Sequence, residues 1–262
     1  MRGSHNPVIE EGIQLYAGGE DARRFYAMYV IFLSIFLIFL WPGNGYVRFF
    51  FYQSQPVVFE FGLFVFPVLL SLAGGYFGIN SIGKDEFIRL SDWMVRTPVS
   101  TRSIILGKLL LAWGHTGTLI LLGLPLFILC AAPAGISAAP LALSLLILFL
   151  CAVVGRMWGL VVLSLLERHR ALTVLLLWGG FIAYLYTTAR SLPELNPVII
   201  LVNIHSAWRT SAGANYFYAR ITGFSTARSV ALTLGLALTL SLLAALVMWV
   251  RSQREPEVVV DE

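Results

Sequence analysis

The chain has 262 residues, 58% of them hydrophobic and only 12% charged, with a mean hydropathy of +0.81. Soluble domains carry about 25% charged residues, so an ordinary soluble fold is excluded and a membrane protein is indicated. The formal charge of +4 comes without a basic run that would track a phosphate backbone, which argues against a nucleic-acid partner.

A hydrocarbon core about 30 Å thick needs about 20 apolar residues per helix, so the length suits about six spans with short connections. Continuous Leu-rich runs, rather than ten-residue alternation, exclude a membrane barrel. The expected architecture is therefore an all-α integral membrane protein with six transmembrane helices in one domain over 1–262. It divides into an N-terminal amphipathic segment (1–24), a six-span region (25–250) and a tail (251–262).

At the N-terminus, Asn6 suits a helix cap and Pro7 the first helical position. Ile9, Ile13 and Tyr16 then fall at i, i+4 and i+7, which predicts an interfacial helix leading to the first span, interrupted at Gly18-Gly19. A frayed terminus is the alternative. The first span is expected over Phe25 to Trp41, after Glu10, Glu11, Glu20 and Asp21. It ends in Trp41-Pro42-Gly43 rather than a small-residue cleavage site, so it reads as a retained helix and not as a signal peptide. Phe61 to Ile79 gives the second span.

The hydrophilic segment from about Asn80 to Ser103 is longer than a turn. Phe87, Leu90, Trp93 and Met94 fall at i, i+3, i+6 and i+7, one face of a helix, and Lys84, Asp85, Glu86, Arg89, Asp92 and Arg96 fill the rest. Asp85 with Arg89, and Asp92 with Arg96, are acid-first i, i+4 pairs that support such a helix. It ends at Thr97-Pro98, because the residue before proline is pushed out of the helical region. By pattern alone this short amphipathic helix either lies on lipid headgroups or docks to a partner.

The uncharged run from Leu109 to Gly155 is too long for one helix, and Pro133, Gly135 and Pro140 interrupt it, so a helical hairpin supplies the third and fourth spans. Two polar residues stand in this hairpin, His115 and Arg156. Arg156 reads either as a contact for an anionic substrate or lipid head, or as a side chain that snorkels to the headgroups or bonds neighbouring carbonyls. His115, with Thr116 and Thr118 nearby, is expected to bond between helices. Cys130 and Cys151 read as small buried hydrophobes. Gly74-Gly75, and Gly155 with Gly159, offer close helix approach.

Ala171 to Ala189 and Ser229 to Val250 complete the six spans. Between them, from about Arg190 to Arg228, the apolar run Val198 to Ile204 is far too short to cross. Trp208, Tyr216, Phe217 and Tyr218 in this loop suit either a gate or an ordinary interfacial aromatic belt. Arg2, Arg23, Arg24, Lys84, Arg89, Arg96, Arg102, Lys108, Arg168, Arg170, Arg251 and Arg254 all fall on one side of this topology. The opposite side holds Arg48, Arg190, Arg209, Arg220 and Arg228, so the positive-inside bias puts both termini in the cytosol.

Thr97-Pro98-Val99-Ser100, followed by Ile104-Ile105-Leu106-Gly107-Lys108, resembles a segment of the permease subunits of type-2 ABC exporters. Asp85 and Glu86 are similar to an acidic pair of that family, Asp92 to the acidic residue six before its proline, and Asn6-Pro7 and Leu195-Asn196-Pro197 also look family-like. Where the family has Gly-Thr at the start of the motif, this chain has Arg89-Leu90. The resemblance covers nearly the whole chain, but only Thr97 to Lys108 is specific. It implies that the helix from Lys84 to Arg96, with Thr97 and Pro98, is a coupling helix seated in a cytosolic ATPase. Trp93 and Met94 would be its apolar anchors.

The resemblance further implies a dimer with itself or a similar chain, two ATPase copies, and a place in the cell membrane. The N-terminal segment would be a connecting helix lying along the membrane. The region after the fifth span would dip into the outer leaflet, with Asn196, Pro197 and Trp208 at an outer gate.

This chain has no G-x-x-x-x-G-K-[ST] loop; Gly107-Lys108 is followed by Leu109 and lacks the upstream glycine. ATP and Mg are therefore expected on the partner, no cofactor is expected on this chain, and the chain is not expected to be an enzyme. His5, His115, His169 and His205 are scattered without metal-ligand spacing. Glu60 sits at the outer end of the second expected span and no other carboxylate falls within a span, which leaves little for acid/base work or a proton relay and disfavours an ATP-independent secondary carrier. A non-transporting scaffold that recruits a cytosolic partner is the other alternative.

Overall fold

A computed structural model describes residues 6–18, 20–40, 99–131, 137–166, 170–209 and 225–252. Among them every regular element is helical and no strand occurs. In chain order the described helices are α1 (Pro7–Gly18), α2 (Glu20–Leu40), α3 (Thr101–Ala131), α4 (Ala138–Leu166), α5 (Arg170–Ser191), a 3-10 turn (Pro193–Leu195), α6 (Pro197–Arg209) and α7 (Thr226–Ser252). Within α3, α4, α5 and α7 lie four stretches long and apolar enough to cross a membrane, Thr101–Leu129, Ala138–Leu166, Leu172–Ser191 and Thr226–Val250. The protein is thus an all-helical, multi-pass membrane protein. The first expected span, 25–41, lies in the 21-residue α2 up to Leu40, and the second, 61–79, lies outside the described residues.

α4 is the centre of the bundle, packing against α3, α5, α6 and α7. Its residues Leu150 to Met157 are all buried, and eight consecutive residues go more than twice round a helix, so every side is covered. Half of the α4 span is buried within the chain, against 22–28% of the other three, whose remaining apolar surface faces outward. Toward one end, Phe127 of α3 and Ile200 and Leu201 of α6 close on Ile147, Leu148, Cys151 and Ala152. Further along, Ala112 of α3 and Ala237 and Ala244 of α7 meet Val153, Met157 and Val161. Lipid tails are as apolar as these side chains, so close packing rather than expulsion from water holds the helices together.

Several polar side chains inside the spans are satisfied locally. Thr116, Ser144, Thr188, Thr233 and Ser241 each donate to the carbonyl four residues earlier. This removes the need for water, which the hydrocarbon lacks. Ser241 also accepts from the Trp113 indole at 3.2 Å, which ties α7 to α3.

The helices extend past the uncharged stretches of the sequence. α3 takes in Arg102 and Lys108, and α4 takes in Arg156. Pro140, expected in the turn of the hairpin, lies instead in the first turn of α4, where no earlier carbonyl awaits its missing N–H. Pro125, well inside α3, leaves the Leu121 carbonyl without its helical donor, a defect that membrane helices tolerate when neighbours compensate.

α1 does not stand apart from the bundle. Val8 meets Gly107, Gly12 meets Leu111 and Tyr16 stacks on His115, so α1 runs alongside α3 in the same direction, contact for contact, over two turns. It therefore stands against α3 instead of lying flat along a surface. The seated face is Val8, Gly12 and Tyr16, whereas Ile13 is 55% exposed. Hydrophobic periodicity pointed to Ile9, Ile13 and Tyr16, and of these Tyr16 is on the seated face. The helix turned by about one residue because close approach needs a glycine against Leu111, and a glycine carries no hydrophobic signal.

A Cβ on Gly107 would lie 2.9 Å from the Val8 Cβ, an approach that real side chains do not make. Gly107→Leu is expected to prise α1 from α3 at a cost of about 1–3 kcal/mol, typical of overpacking. The check is a lower thermal unfolding midpoint in detergent.

Candidate functional site

The buried charge in the centre of the bundle is Arg156, which is 1% exposed on α4. Its neighbours come from three other helices. Arg156 Nη2 donates to the Tyr16 hydroxyl of α1 at 2.9 Å, and Nη1 lies 3.2 Å from Nδ1 of His115 on α3. A guanidinium has only donors, so Nδ1 must accept, which makes His115 a neutral imidazole with its proton on Nε2. The Tyr16 ring stacks on His115 with centroids 4.3 Å apart, and the Arg156 guanidinium sits 5.8 Å from the Tyr16 centroid. Tyr26 of α2 flanks the other side of His115 at 5.8 Å.

The arrangement places a planar cation where hydrogen-bond acceptors and an electron-rich ring converge, which is what a guanidinium needs away from water. A charge at the centre of a membrane helix costs about 2.5–3.5 kcal/mol on insertion scales. A hydrogen bond to a charged group recovers about 1.5–3 kcal/mol. Two such contacts are of the right size to hold the charge. Arg156 accordingly turns into the bundle and does not snorkel to headgroups. The structure brings His115 and Arg156 together, and it adds Tyr16, which the sequence had marked only as an apolar-face position. The signal that could have found it is the ring's polar tip on the face that packs against the helix carrying His115.

The second ordered polar site is the corner between α5 and α6. Asn196 is 4% exposed, and its Oδ1 accepts from the backbone N–H of Val198 at 3.1 Å and of Ile199 at 3.2 Å, capping α6. Its Nδ2 donates to the Leu185 carbonyl at 3.0 Å and to the Thr188 hydroxyl at 3.1 Å. Pro197 takes the first helical position of α6, where its missing N–H costs nothing. The Tyr184 hydroxyl donates to the Leu195 carbonyl at 2.5 Å, and Arg228 at the start of α7 pairs with Glu194 at 3.0 Å. Asn196 is thus a structural corner post. Trp208 is near the end of α6, and its side chain lies outside what the structure describes. The run 198–204 is part of the 13-residue α6, which packs Ile200 and Leu201 against α4.

Lys84 to Pro98, the segment expected to couple to an ATPase, lies outside the described residues. Immediately after it, Ser100 caps α3: its hydroxyl accepts from the Ser103 N–H at 3.3 Å. Asn6 bridges the two helix starts, capping α1 through the Val8 N–H at 3.1 Å and donating to the Ser103 carbonyl at 2.8 Å. No group of three or more His, Cys, Asp or Glu that could hold a metal occurs among the described residues.

Compared with models of known protein families the chain matches none, and no curated protein sequence matches it.

Two substitutions test the geometry. His115→Phe keeps a ring against Tyr16 but removes the Nδ1 acceptor, and is expected to cost about 1–3 kcal/mol as an incompletely bonded buried cation, read as a lower unfolding midpoint in detergent. Asn196→Ala removes the α6 cap at a cost of about 1–2 kcal/mol, and the expected result is faster amide exchange at Val198 to Ile200, with α7 unaffected.

Proposed function

We propose that the chain is the permease subunit of an ATP-driven exporter of the type-2 ABC kind. It would have six spans with both termini in the cytosol, act in the cell membrane, and pair with a second permease chain. The observation that carries the reading is the segment Thr97 to Lys108. Its described part begins α3 with the Ser100 cap, and its Gly107 gives Val8 of α1 room to seat. That placement gives the motif physical work at the junction of the N-terminal helix and the apolar hairpin, which supports the reading. The multi-pass apolar helices supply material for a pathway, and the sequence carries no phosphate-binding loop of its own.

In this mechanism two copies of a cytosolic ATPase bind ATP and Mg and close on each other. Their closure moves the amphipathic helix from Lys84 to Arg96, anchored by Trp93 and Met94. Because that helix leads directly into α3, its displacement tilts the α3–α4 hairpin and reshapes a path between the two permease chains. The chain contributes path and coupling, while the ATPase contributes the chemistry.

The test is co-purification of the tagged chain with the ATPase encoded beside it, with ATPase activity read in lipid for wild type and for Trp93→Asp combined with Met94→Asp. Expected is an ATPase that travels with the wild type and is lost from the double variant, while the variant still elutes as a folded membrane protein. An absent ATPase, or equal binding and stimulation by the variant, would overturn the reading in favour of a scaffold or an ATP-independent carrier.

A further inference from the structure

We infer that α1 is a detachable arm whose docking on the bundle is energetically coupled to Arg156 through the Tyr16 hydroxyl. The inference concerns how α1 is held, and it does not depend on an ATPase partner.

A twelve-residue helix is marginal on its own, so α1 persists because of what it packs against. Its attachment has two ends. At the start, Asn6 donates to the Ser103 carbonyl and Val8 sits on Gly107. At the far end, two turns on, Tyr16 lies on His115 and accepts from Arg156. Between them Gly12 lets Leu111 through without a side chain of its own in the way. This seat is shallow: Glu10, Ile13 and Gln14 face outward.

The Tyr16 contact differs in kind from the others, because it reaches past α3 to the central helix. When α1 leaves, the guanidinium loses an acceptor in a place where water does not replace it. A docked α1 and a buried Arg156 therefore stabilise each other, and linkage makes the effect reciprocal: whatever displaces Arg156 loosens α1, and whatever lifts α1 disturbs Arg156. His115 closes the triangle, stacking on one member and accepting from the other, so that α1, α3 and α4 respond together. The arm is thus wired to the middle of the bundle.

The experiment is amide hydrogen exchange on the full-length protein in lipid nanodiscs, comparing 7–18 with 226–252 in wild type, Tyr16→Phe, Arg156→Gln and the double variant. Tyr16→Phe keeps the ring and removes the hydroxyl. It is expected to speed exchange across 7–18 by about ten- to a hundredfold while 226–252 stays as in wild type. The double variant is expected to exchange within about twofold of the faster single variant, since both remove the same contact. If Arg156→Gln does not fold, His115→Phe takes its place in the cycle. Exchange of 7–18 within twofold of wild type in Tyr16→Phe, equal acceleration of 226–252, or fully multiplicative effects in the double variant would each overturn the inference.

Discussion

The bundle is organised around one constraint: a guanidinium placed in the middle of its most buried helix. Arg156 lies within eight consecutive buried residues of α4, so it has no direct route to a headgroup and must be satisfied by what surrounds it. His115 of α3 and Tyr16 of α1 supply acceptors, and the Tyr16 ring supplies a π face. Each of these partners then restricts its own helix. α3 must present His115 inward, and α1 must stand along α3 rather than lie on a surface. The glycines at 12 and 107 follow from that demand, because α1 brings Tyr16 to the arginine only by pressing close against α3.

Several of the remaining polar residues are satisfied locally. Thr116, Ser144, Thr188, Thr233 and Ser241 return their hydrogen to the preceding turn, and Ser241 accepts from Trp113 as well. At the α5–α6 corner, Asn196 uses both ends of its amide, capping one helix and fastening the end of another. An unpaired polar group is costly in a membrane, and these contacts avoid that cost. The apolar surfaces of α5 and α7 are left facing outward, as suits helices bathed in lipid or covered by another chain.

On the proposed reading, function is attached to this frame at its ends. The start of α3, where Ser100 caps the helix and Asn6 reaches across from α1, is where a push from a cytosolic partner would enter the hairpin. From there α3 leads to His115, which meets Arg156 of α4. The corner at Asn196 stands apart from that cluster and reads as a rigid stop that orients α6 against the central helix.

Composition and apolar run length by themselves determined that this is a helical membrane protein, and they set where four of the crossing helices run, because burial in lipid is a bulk requirement that each segment must meet alone. Cap chemistry was equally local: Asn6-Pro7 marks a helix start in the sequence and in the structure, and Asn196-Pro197, expected from the sequence at an outer gate, caps α6 by the same chemistry. The face of α1 was only partly legible. Ile9, Ile13 and Tyr16 carried the hydrophobic pattern, yet Tyr16 is seated beside Val8 and Gly12 while Ile13 faces outward, since the choice was made by the shape of α3. Nor did the sequence show whether Arg156 turned outward or inward. Only the tertiary structure decided that, because its partners are 41 and 140 residues away and the energy of a buried charge depends on which acceptors the fold brings to it.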